Sequence, residues 1–367
     1  MLVGVLMSYR TRRILFSSPL FMIYEFFLLG YLLSFFGYVD SLYLLVVVIC
    51  LEVVHVVPMF FESRKSTVVG RFLCTCYGVW EWFLLMITIL MSIVYVTSLF
   101  VIVDKNMILI GLSIIALIGV YAFINARRIV VRKRVLSFPN LSRSYSILHL
   151  SDVHFGSLCH EWSMSKLRYK IVELEDECDL IIISGDLADG SCIVCEDDFM
   201  AFKDLSVPVV FTSGNHDYYP GIKSVHRACR SADMIVLEND SFQYDDLNIY
   251  GLSYSFGDID MPSDDDLKNI IEGDMVNIVN YHVPHGWDVL CDVGFNLQLS
   301  GHTHGGQFYP VTWLSNLLFE GHGMGLFRKR VDENYKYLHV TCGVGCMDVP
   351  MRWGTKAEIV LLKLENE

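Results

Sequence analysis

Long apolar runs occupy the first third of the chain, whereas short apolar runs alternate with polar stretches in the remainder. A helix needs about 20 apolar residues to cross a bilayer, and four of the long runs approach or exceed that length. They lack the two-residue alternation of half-buried strands, and they are too many for a cleaved signal peptide. The pattern therefore predicts four transmembrane helices, at Pro19–Val39, Leu42–Phe61, Tyr77–Val103 and Met107–Ile124.

Charge is divided as unevenly as hydrophobicity. Residues 1–137 hold 12 Lys+Arg and 6 Asp+Glu, whereas residues 138–367 hold 16 Lys+Arg and 35 Asp+Glu, a net charge of −19. This division predicts a membrane region over residues 1–137 and a globular domain over residues 138–367. The acidic domain offers no basic stripe to neutralise a phosphate backbone, so we expect no nucleic acid partner.

The basic residues of the membrane region also predict its orientation. Eleven of its twelve Lys and Arg residues lie on one side of the predicted spans, and only Lys105 lies on the other. Because Lys and Arg are enriched in cytoplasmic loops, both ends are expected in the cytoplasm, with the domain at the inner leaflet of the cell inner membrane. The cluster Arg127–Arg134 is then expected to meet anionic headgroups. A rival interpretation is a twin-arginine export signal at Thr11–Phe16, although no small-residue cleavage site follows that segment.

Short apolar runs in the domain each end in polar residues. Runs of four or five β-forming residues bounded by turn residues are typical of buried strands, and the polar stretch Lys166–Glu177 is typical of a crossover helix. Together they predict a layered α/β domain with its site at the carboxyl ends of the strands. The predicted strands are Ile147–Leu150, Leu180–Ile183, Val207–Phe211, Met275–Val279, Phe295–Leu299 and Ala357–Leu364.

The polar residues that follow five of these runs are of metal-binding types. A lone buried histidine is more often structural, but five such loops in succession favour a metal site. Mixed carboxylate, amide and imidazole ligands suit Mn²⁺, Fe or Zn²⁺ better than Mg²⁺ or Ca²⁺, which prefer shells of oxygen alone. The candidate residues are Asp152, His154, Asp186, Asn215, His216, Asp217, His282, His302 and His304.

The order and spacing of these residues resemble the calcineurin-like metallophosphoesterases. The matching motifs are Asp152-x-His154, Gly185-Asp186, Gly214-Asn215-His216-Asp217, His282 and Gly301-His302-x-His304. The longer run Gly301–Gln307 and the tail segments Thr341–Gly345 and Pro350–Gly354 are similar to the membrane-associated bacterial branch of that superfamily. The resemblance covers residues 145–364 and leaves the four apolar runs outside it.

This resemblance implies a four-layer αββα sandwich that holds two divalent metal ions, with manganese expected first and iron or zinc as alternatives. One ion would take Asp152, His154 and His304, the other would take Asn215, His282 and His302, and Asp186 would bridge both. His216 would face the phosphate without ligating, and Asp217 would orient its imidazole. A non-catalytic scaffold of the same fold is disfavoured because every ligand position is filled.

The membrane region suggests a lipid-linked phosphate as the substrate. One member of the same branch cleaves UDP-2,3-diacylglucosamine to UMP and lipid X in lipid A biosynthesis, and analogy with it gives the most specific expectation. The alternative is a phosphodiesterase that acts on phospholipids or on another nucleotide-lipid.

One apolar stretch of the domain admits two interpretations. Trp313–Phe319, followed by Gly321–Phe327, spaces its apolar residues like one face of a helix directly after the predicted metal loop. In the first interpretation it enters the membrane interface or lines an acyl pocket. In the second it packs under the sheet. The basic residues Arg328–Arg330 beside it could meet headgroups or a second phosphate.

Overall fold

The computed structural model describes residues 9–37, 40–61, 67–139, 141–156, 158, 161–256, 262–331 and 334–366. The chain divides into two compact units. The first comprises Met1–Asn125 with Met347–Met351, and the second comprises Ala126–Cys346 with Arg352–Glu367. The predicted end of the first span at Val39 lies outside the described residues, as do Arg64 and Lys65 of the orientation argument.

The first unit consists of apolar helices α1 (Tyr9–Ser34), α2 (Ser41–Phe61), α3 (Val68–Ser98) and α4 (Lys105–Asn125) among its described residues. Helix α3 begins well before the predicted Tyr77, at an N-cap where the Thr67 hydroxyl accepts a hydrogen bond from the Gly70 N–H at 3.1 Å. The hydropathy pattern misplaced that end, because a helix continues through polar residues as long as its backbone hydrogen bonds continue.

Three helical segments are long and apolar enough to cross a membrane: Phe16–Ser34, Val68–Ser98 and Lys105–Asn125. The corresponding apolar stretch of α2 is shorter, Ser41–Val54. Many large apolar side chains of these helices point outward, among them Phe72 at 65% exposure and Leu117 at 72%. Outward apolar surface of this kind is typical of helices that face lipid.

Among its described residues, the second unit contains two six-stranded sheets. The first has the order β1-β12-β2-β3-β4-β5, in which β2 to β5 run parallel. Its strands are β1 (Ile129–Phe138), β2 (Tyr145–Leu150), β3 (Leu180–Ser184), β4 (Val209–Thr212), β5 (Ile235–Val236) and β12 (Ala357–Asn366). The second has the order β10-β11-β9-β8-β7-β6, with β7, β8, β9 and β11 parallel. Its strands are β6 (Asp240–Tyr244), β7 (Leu247–Leu252), β8 (Val276–Tyr281), β9 (Leu297–Ser300), β10 (Gly325–Val331) and β11 (Asn334–Val340).

The apolar strands are buried on both faces. In β3, Leu180 and Ile182 pack in one core with residues of the second sheet, whereas Ile181 and Ile183 pack on the other side against helices. Two-sided burial explains why these strands read as continuous apolar runs rather than as alternating ones. The helices of this unit are α5 (Glu161–Val172), α6 (Ile222–Ser231), α7 (Asp264–Lys268), α8 (Trp287–Val293) and α9 (Val311–Leu318).

Two boundaries from the sequence need correction. The predicted crossover helix Lys166–Glu177 corresponds to α5, which starts earlier because Met164 shares its buried face with Leu167 and Ile171, and which ends at Val172, before a separate 3-10 turn at Glu175–Glu177. The unit boundary falls at residue 126 and not at Ser137, because strand β1 pairs with β12 along its whole length. In this strand Arg132 forms an ion pair with Glu358 at 2.5 Å, so part of the basic cluster bonds within the unit.

Candidate metal centre

Five loops bring the predicted site residues together. Three loops follow the neighbouring parallel strands β2, β3 and β4 of the first sheet, and two follow the parallel strands β8 and β9 of the second. The two sets are joined directly, because the His302 N–H donates to the Asp152 carboxylate at 3.1 Å. The carboxyl ends of strands from both sheets therefore meet at one site, as open α/β sheets place their ligands.

The backbone at this site is strained. Five candidate residues have positive φ angles between 51° and 68° although none is glycine: Asp152, His154, Asp186, His302 and His304. Such conformations cost about 1–3 kcal/mol each and cluster at functional sites. Five of them in one place indicate that the fold maintains these side-chain directions at the expense of stability.

Two glycines allow the loops to approach closely. A Cβ atom on Gly301 would lie 2.0 Å from the Ser151 hydroxyl oxygen, and one on Gly185 would lie 2.6 Å from the Gly214 nitrogen. Gly185 also has a φ of 84°, in the region that favours glycine. The glycines that precede the Asp and His candidates are thus required by the packing of one loop on another.

The first group of ligand atoms comes from Asp152, His154 and His304. The His154 and His304 Nε2 atoms are 2.9 Å apart, and the Asp152 Oδ1 atom lies 3.4 Å from His304 Nε2 and 3.8 Å from His154 Nε2. All three side chains are buried, with no more than 3% of any residue exposed. Their donor atoms lie within 4.8 Å of one another.

The second group surrounds Asp186, His282 and His302. The Asp186 Oδ2 atom lies 3.2 Å from His282 Nε2, and the His302 Nδ1 atom lies 2.9 Å from the Asn215 Oδ1 atom. Asp186 Oδ2 also lies 3.8 Å from His154 Nε2, so one carboxylate reaches both groups. The structure thus brings all seven predicted ligands into one centre with Asp186 between the two sets.

A hydrogen bond to the backbone determines which nitrogen of His282 faces the candidate centre. His282 Nδ1 donates to the Ser184 carbonyl at 2.6 Å, which leaves its Nε2 atom directed at Asp186. This arrangement, in which a backbone carbonyl holds the tautomer of a ligand histidine, is common at metal sites.

Burial and mutual charge shift the pKa values of the group. Burial raises the pKa of Asp152 to about 6. Burial also opposes the charge of Asp186, but the neighbouring His282 outweighs it and holds the pKa of Asp186 well below its usual range. Burial lowers the pKa of His282, but the charge of Asp186 outweighs burial and raises that pKa to about 9. Burial and the charge of His282 lower the pKa of His302 to about 4.

The donor set fits divalent cations. The Nε2 atoms of His154 and His304 lie 2.9 Å apart in a buried place lined by carboxylates. Protons on both atoms would repel each other, whereas one shared cation would accept both lone pairs. Burial accordingly lowers the pKa of His304 well below its ordinary value, as a neutral ligand requires. A cation would compete with the proton on His282, so metal affinity should fall as the pH is lowered.

His216 lies beside the first group, with a ring nitrogen within 4.8 Å of donor atoms of His154 and Asp186. Its ring stands edge-on to His154 at a centroid distance of 4.8 Å and contacts Tyr219 at 4.9 Å. Its Nδ1 atom lies 2.9 Å from the Asp189 carbonyl oxygen, to which it donates. The Nε2 atom is therefore the one left to exchange a proton with a bound molecule.

Asp217 does not orient His216, contrary to the role that the resemblance implied. Its carboxylate accepts the N–H groups of Asp186 and Gly214 at 2.8 Å and of Ala188 at 2.9 Å. The residue follows His216 in a short 3-10 turn, which directs the two side chains apart. Asp217 ties two ligand loops together, while the carbonyl of Asp189 takes the orienting role.

Replacing Asp217 by asparagine is expected to destabilise the second unit by about 2 kcal/mol. Asparagine has one acceptor oxygen, so its NH₂ group must face at least one of the three buried N–H donors. The midpoint of thermal unfolding, followed with the full chain in detergent, should drop by several degrees. A variant with the wild-type midpoint would show that these three hydrogen bonds do not hold the loops.

The tail segments Thr341–Gly345 and Pro350–Gly354 support the backbone of the candidate centre. Arg352 is fully buried, and its Nη2 atom donates to the carbonyls of Cys342 at 2.7 Å and Gly345 at 2.6 Å. The same loop donates to the Asp152 carbonyl through the Gly345 N–H at 2.7 Å. A buried arginine thus supports the backbone under a candidate ligand, which sequence reasoning did not find because no metal-binding residue type marks it.

Known proteins similar to this chain include named metallophosphoesterases. A family model described as calcineurin-like phosphoesterase matches residues 145–306, which include all nine candidate residues. An uncharacterised metallophosphoesterase of Campylobacter jejuni is 30% identical over 266 residues, covering 70% of this chain and 69% of that protein. An uncharacterised metallophosphoesterase of Helicobacter pylori is 26% identical over 242 residues, covering 64% of this chain and 63% of that protein.

A third relative, from Danio rerio, is named transmembrane protein with metallophosphoesterase domain. It is 28% identical over 284 residues, covering 70% of this chain and 62% of that protein. The chain thus spans less than two thirds of the length of the Helicobacter and Danio relatives, and slightly more of the Campylobacter one. With two six-stranded sheets, a centre of carboxylates and histidines at their strand ends, and these relatives, the chain belongs to the calcineurin-like phosphoesterases, a family of hydrolases.

Proposed function

We propose that this protein is a membrane-anchored metallophosphoesterase with two divalent metal ions, which hydrolyses a phosphate ester or pyrophosphate bond of a lipid-linked substrate. The observation that carries the proposal is the convergence of seven ligand-type side chains and His216 at the strand ends of both sheets. The catalytic domain is a four-layer αββα sandwich at the cytoplasmic face of the inner membrane, held there by four membrane-spanning helices.

The ligand assignments follow the two groups in the structure. One ion would be held by Asp152, His154 and His304, the other by Asn215, His282 and His302, and Asp186 would serve both. When bound, the two cations supply Lewis acidity that lowers the pKa of water and stabilises the oxygens of the reacting phosphate. Manganese is the proposed metal, with iron or zinc as alternatives, because mixed oxygen and nitrogen ligands suit these ions.

His216 is the proposed general acid. Its Nδ1 atom is engaged with the Asp189 carbonyl, so its Nε2 atom is available to hold a proton next to the ligand groups. A proton at this atom, passed to the leaving oxygen, avoids an unstable alkoxide. General acid catalysis of this type contributes about 10²- to 10⁴-fold to the rate.

The membrane helices support a lipid-linked substrate. Three segments of the first unit have the length and apolarity to cross a bilayer, and an anchored hydrolase would work next to lipid phosphates. UDP-2,3-diacylglucosamine is the first substrate to test, with cleavage to UMP and lipid X. This choice rests on analogy with a branch of the family and on the inward orientation expected from the Lys and Arg distribution.

Product identification by mass spectrometry tests the proposal. The full chain, purified in detergent with Mn²⁺, is incubated with a chromogenic phosphodiester, with UDP-2,3-diacylglucosamine and with glycerophospholipids. We expect hydrolysis of the chromogenic ester, release of UMP from the nucleotide-lipid, and loss of both after chelation of the metal. Cleavage of glycerophospholipids without UMP release would replace the substrate by phospholipid, and no hydrolysis of any of the three would contradict the proposed activity.

A further inference from the structure

Helix α9 turns its apolar face outward. Its outward side chains are more than half exposed: Trp313 at 68%, Leu314 at 53%, Leu317 at 76% and Leu318 at 68%. Thr312 and Ser315, in contrast, are buried, at 6% and 7% exposure. A helix on the surface of a soluble domain normally buries its apolar side and exposes its polar side. The interpretation in which this stretch packs under the sheet is therefore wrong for the helix, whereas Leu326 of the following segment does pack against the core of the second sheet.

The exposed helix is fixed next to the metal centre. The ring of Phe319, at its end, stands edge-on to His302 at a centroid distance of 5.8 Å. The Thr303 hydroxyl donates to the Gly323 carbonyl at 2.6 Å, which ties the metal loop to the segment after the helix. At its start, Trp313 packs against Tyr309 at 5.1 Å. Whatever covers the apolar face therefore lies close to the ligand loops.

The composition of the face and its surroundings favours a lipid bilayer as the occupant. The four side chains occupy positions i, i+1, i+4 and i+5, which form one stripe of a helix, and tryptophan with leucine is the combination that enters a membrane interface. Residues 311–331 hold three basic residues and one acidic residue, within a domain whose acidic residues outnumber basic ones by 35 to 16 beyond Ser137. Arg328 and Arg330 are exposed on strand β10, which follows the helix in the chain, and their charge suits anionic headgroups.

The covalent connection of the chain also favours the bilayer. Helix α4, one of the segments able to cross a membrane, ends at Asn125, and strand β1 of the hydrolase unit begins at Ile129. With α4 in a bilayer, as in the proposed function, that bilayer lies within reach of this unit, whereas a separate protein partner would have to be recruited.

From these observations we propose that α9 is a membrane-docking element whose Trp313, Leu314, Leu317 and Leu318 side chains insert into the interface of a lipid bilayer. Arg328 and Arg330 lie near anionic headgroups in this arrangement. Docking places His302 and the ligand loops close to the membrane surface, where the phosphate of a lipid substrate lies. The proposal rests on the membrane attachment in the proposed function, but it does not depend on the chemistry or on the identity of the substrate.

Photo-crosslinking of the reconstituted full chain tests this contact. The photoreactive residue p-benzoylphenylalanine replaces Leu317 in one protein and Tyr169 in a control, where Tyr169 is 64% exposed on α5. Both proteins are placed in vesicles of phosphatidylethanolamine and phosphatidylglycerol, flotation verifies insertion, and irradiation is followed by mass spectrometry. We expect about tenfold more lipid adduct at position 317 than at position 169.

The outcomes separate docking from the proposed chemistry because no substrate is involved. Equal lipid adducts at the two positions, or adducts at position 317 with a second copy or with another part of the chain, would overturn the proposal. Leu314→Gln and Leu318→Gln, added to the Leu317 photoprobe, should lower the lipid adduct by about tenfold, since two exposed leucines leave the apolar stripe. An unchanged yield in that variant would equally overturn it.

Discussion

Replacing Asp186 by asparagine is expected to abolish phosphoester hydrolysis and to deplete the chain of metal at the same time. Asp186 is the carboxylate that reaches both ligand groups, at 3.2 Å from His282 Nε2 and 3.8 Å from His154 Nε2. Its lowered pKa keeps it charged at neutral pH, and asparagine keeps the shape but removes that charge. Turnover should fall on the order of 10³-fold, and bound metal from about two ions per chain to fewer than about one.

Metal content and rate are measured on the same purified sample, so that the two losses can be compared. Asp292→Asn is the matched control, because Asp292 is an exposed residue near the end of α8 and its change should leave both quantities as in wild type. If Asp186→Asn retains both ions and wild-type turnover, the bridging role is wrong.

Replacing His216 by alanine should separate catalysis from metal binding. The expected loss in kcat is about 10²- to 10⁴-fold, because Nε2 no longer donates a proton to the leaving oxygen. Both metal ions should remain, since the seven proposed ligands are untouched. The loss should be smaller for a p-nitrophenyl ester than for an alkyl ester, because p-nitrophenolate leaves without protonation.

The dependence on the leaving group distinguishes an acid from a structural residue. A merely structural histidine would slow both esters equally. His226→Gln serves as a control, because the side-chain hydrogen bonds described for His226 go to Ser213 and Glu238, which are not among the seven proposed ligands. Equal losses for both esters in His216→Ala, or loss of metal, would reject the proton-donor assignment.

The sequence could indicate which side chains come together because their placement depends on strand ends. Asp152, Asp186 and Asn215 follow adjacent parallel strands, so their approach could be inferred before any coordinates. The contact of His302 with Asn215 could not be inferred, because it joins two sheets whose packing is a tertiary property. The resemblance to a family, rather than the spacing, supplied that part.

Adjacency in the sequence did not predict side-chain contacts where neighbouring residues point in different directions. Asp217 is next to His216, yet a 3-10 turn sends its carboxylate to three backbone N–H groups instead. Strand β1 escaped notice because it is an edge strand with several exposed basic residues, and its Arg132 finds its partner Glu358 only through the fold. The exposure of α9 likewise depends on which face the domain leaves uncovered.

Anomalous X-ray diffraction from crystals of the full chain loaded with Mn²⁺ would locate the proposed metal ions. We expect two strong anomalous peaks, one beside Asp152, His154 and His304, the other beside Asn215, His282 and His302, with the Asp186 carboxylate in contact with both. A single peak, or peaks located away from these seven side chains, would contradict the proposal.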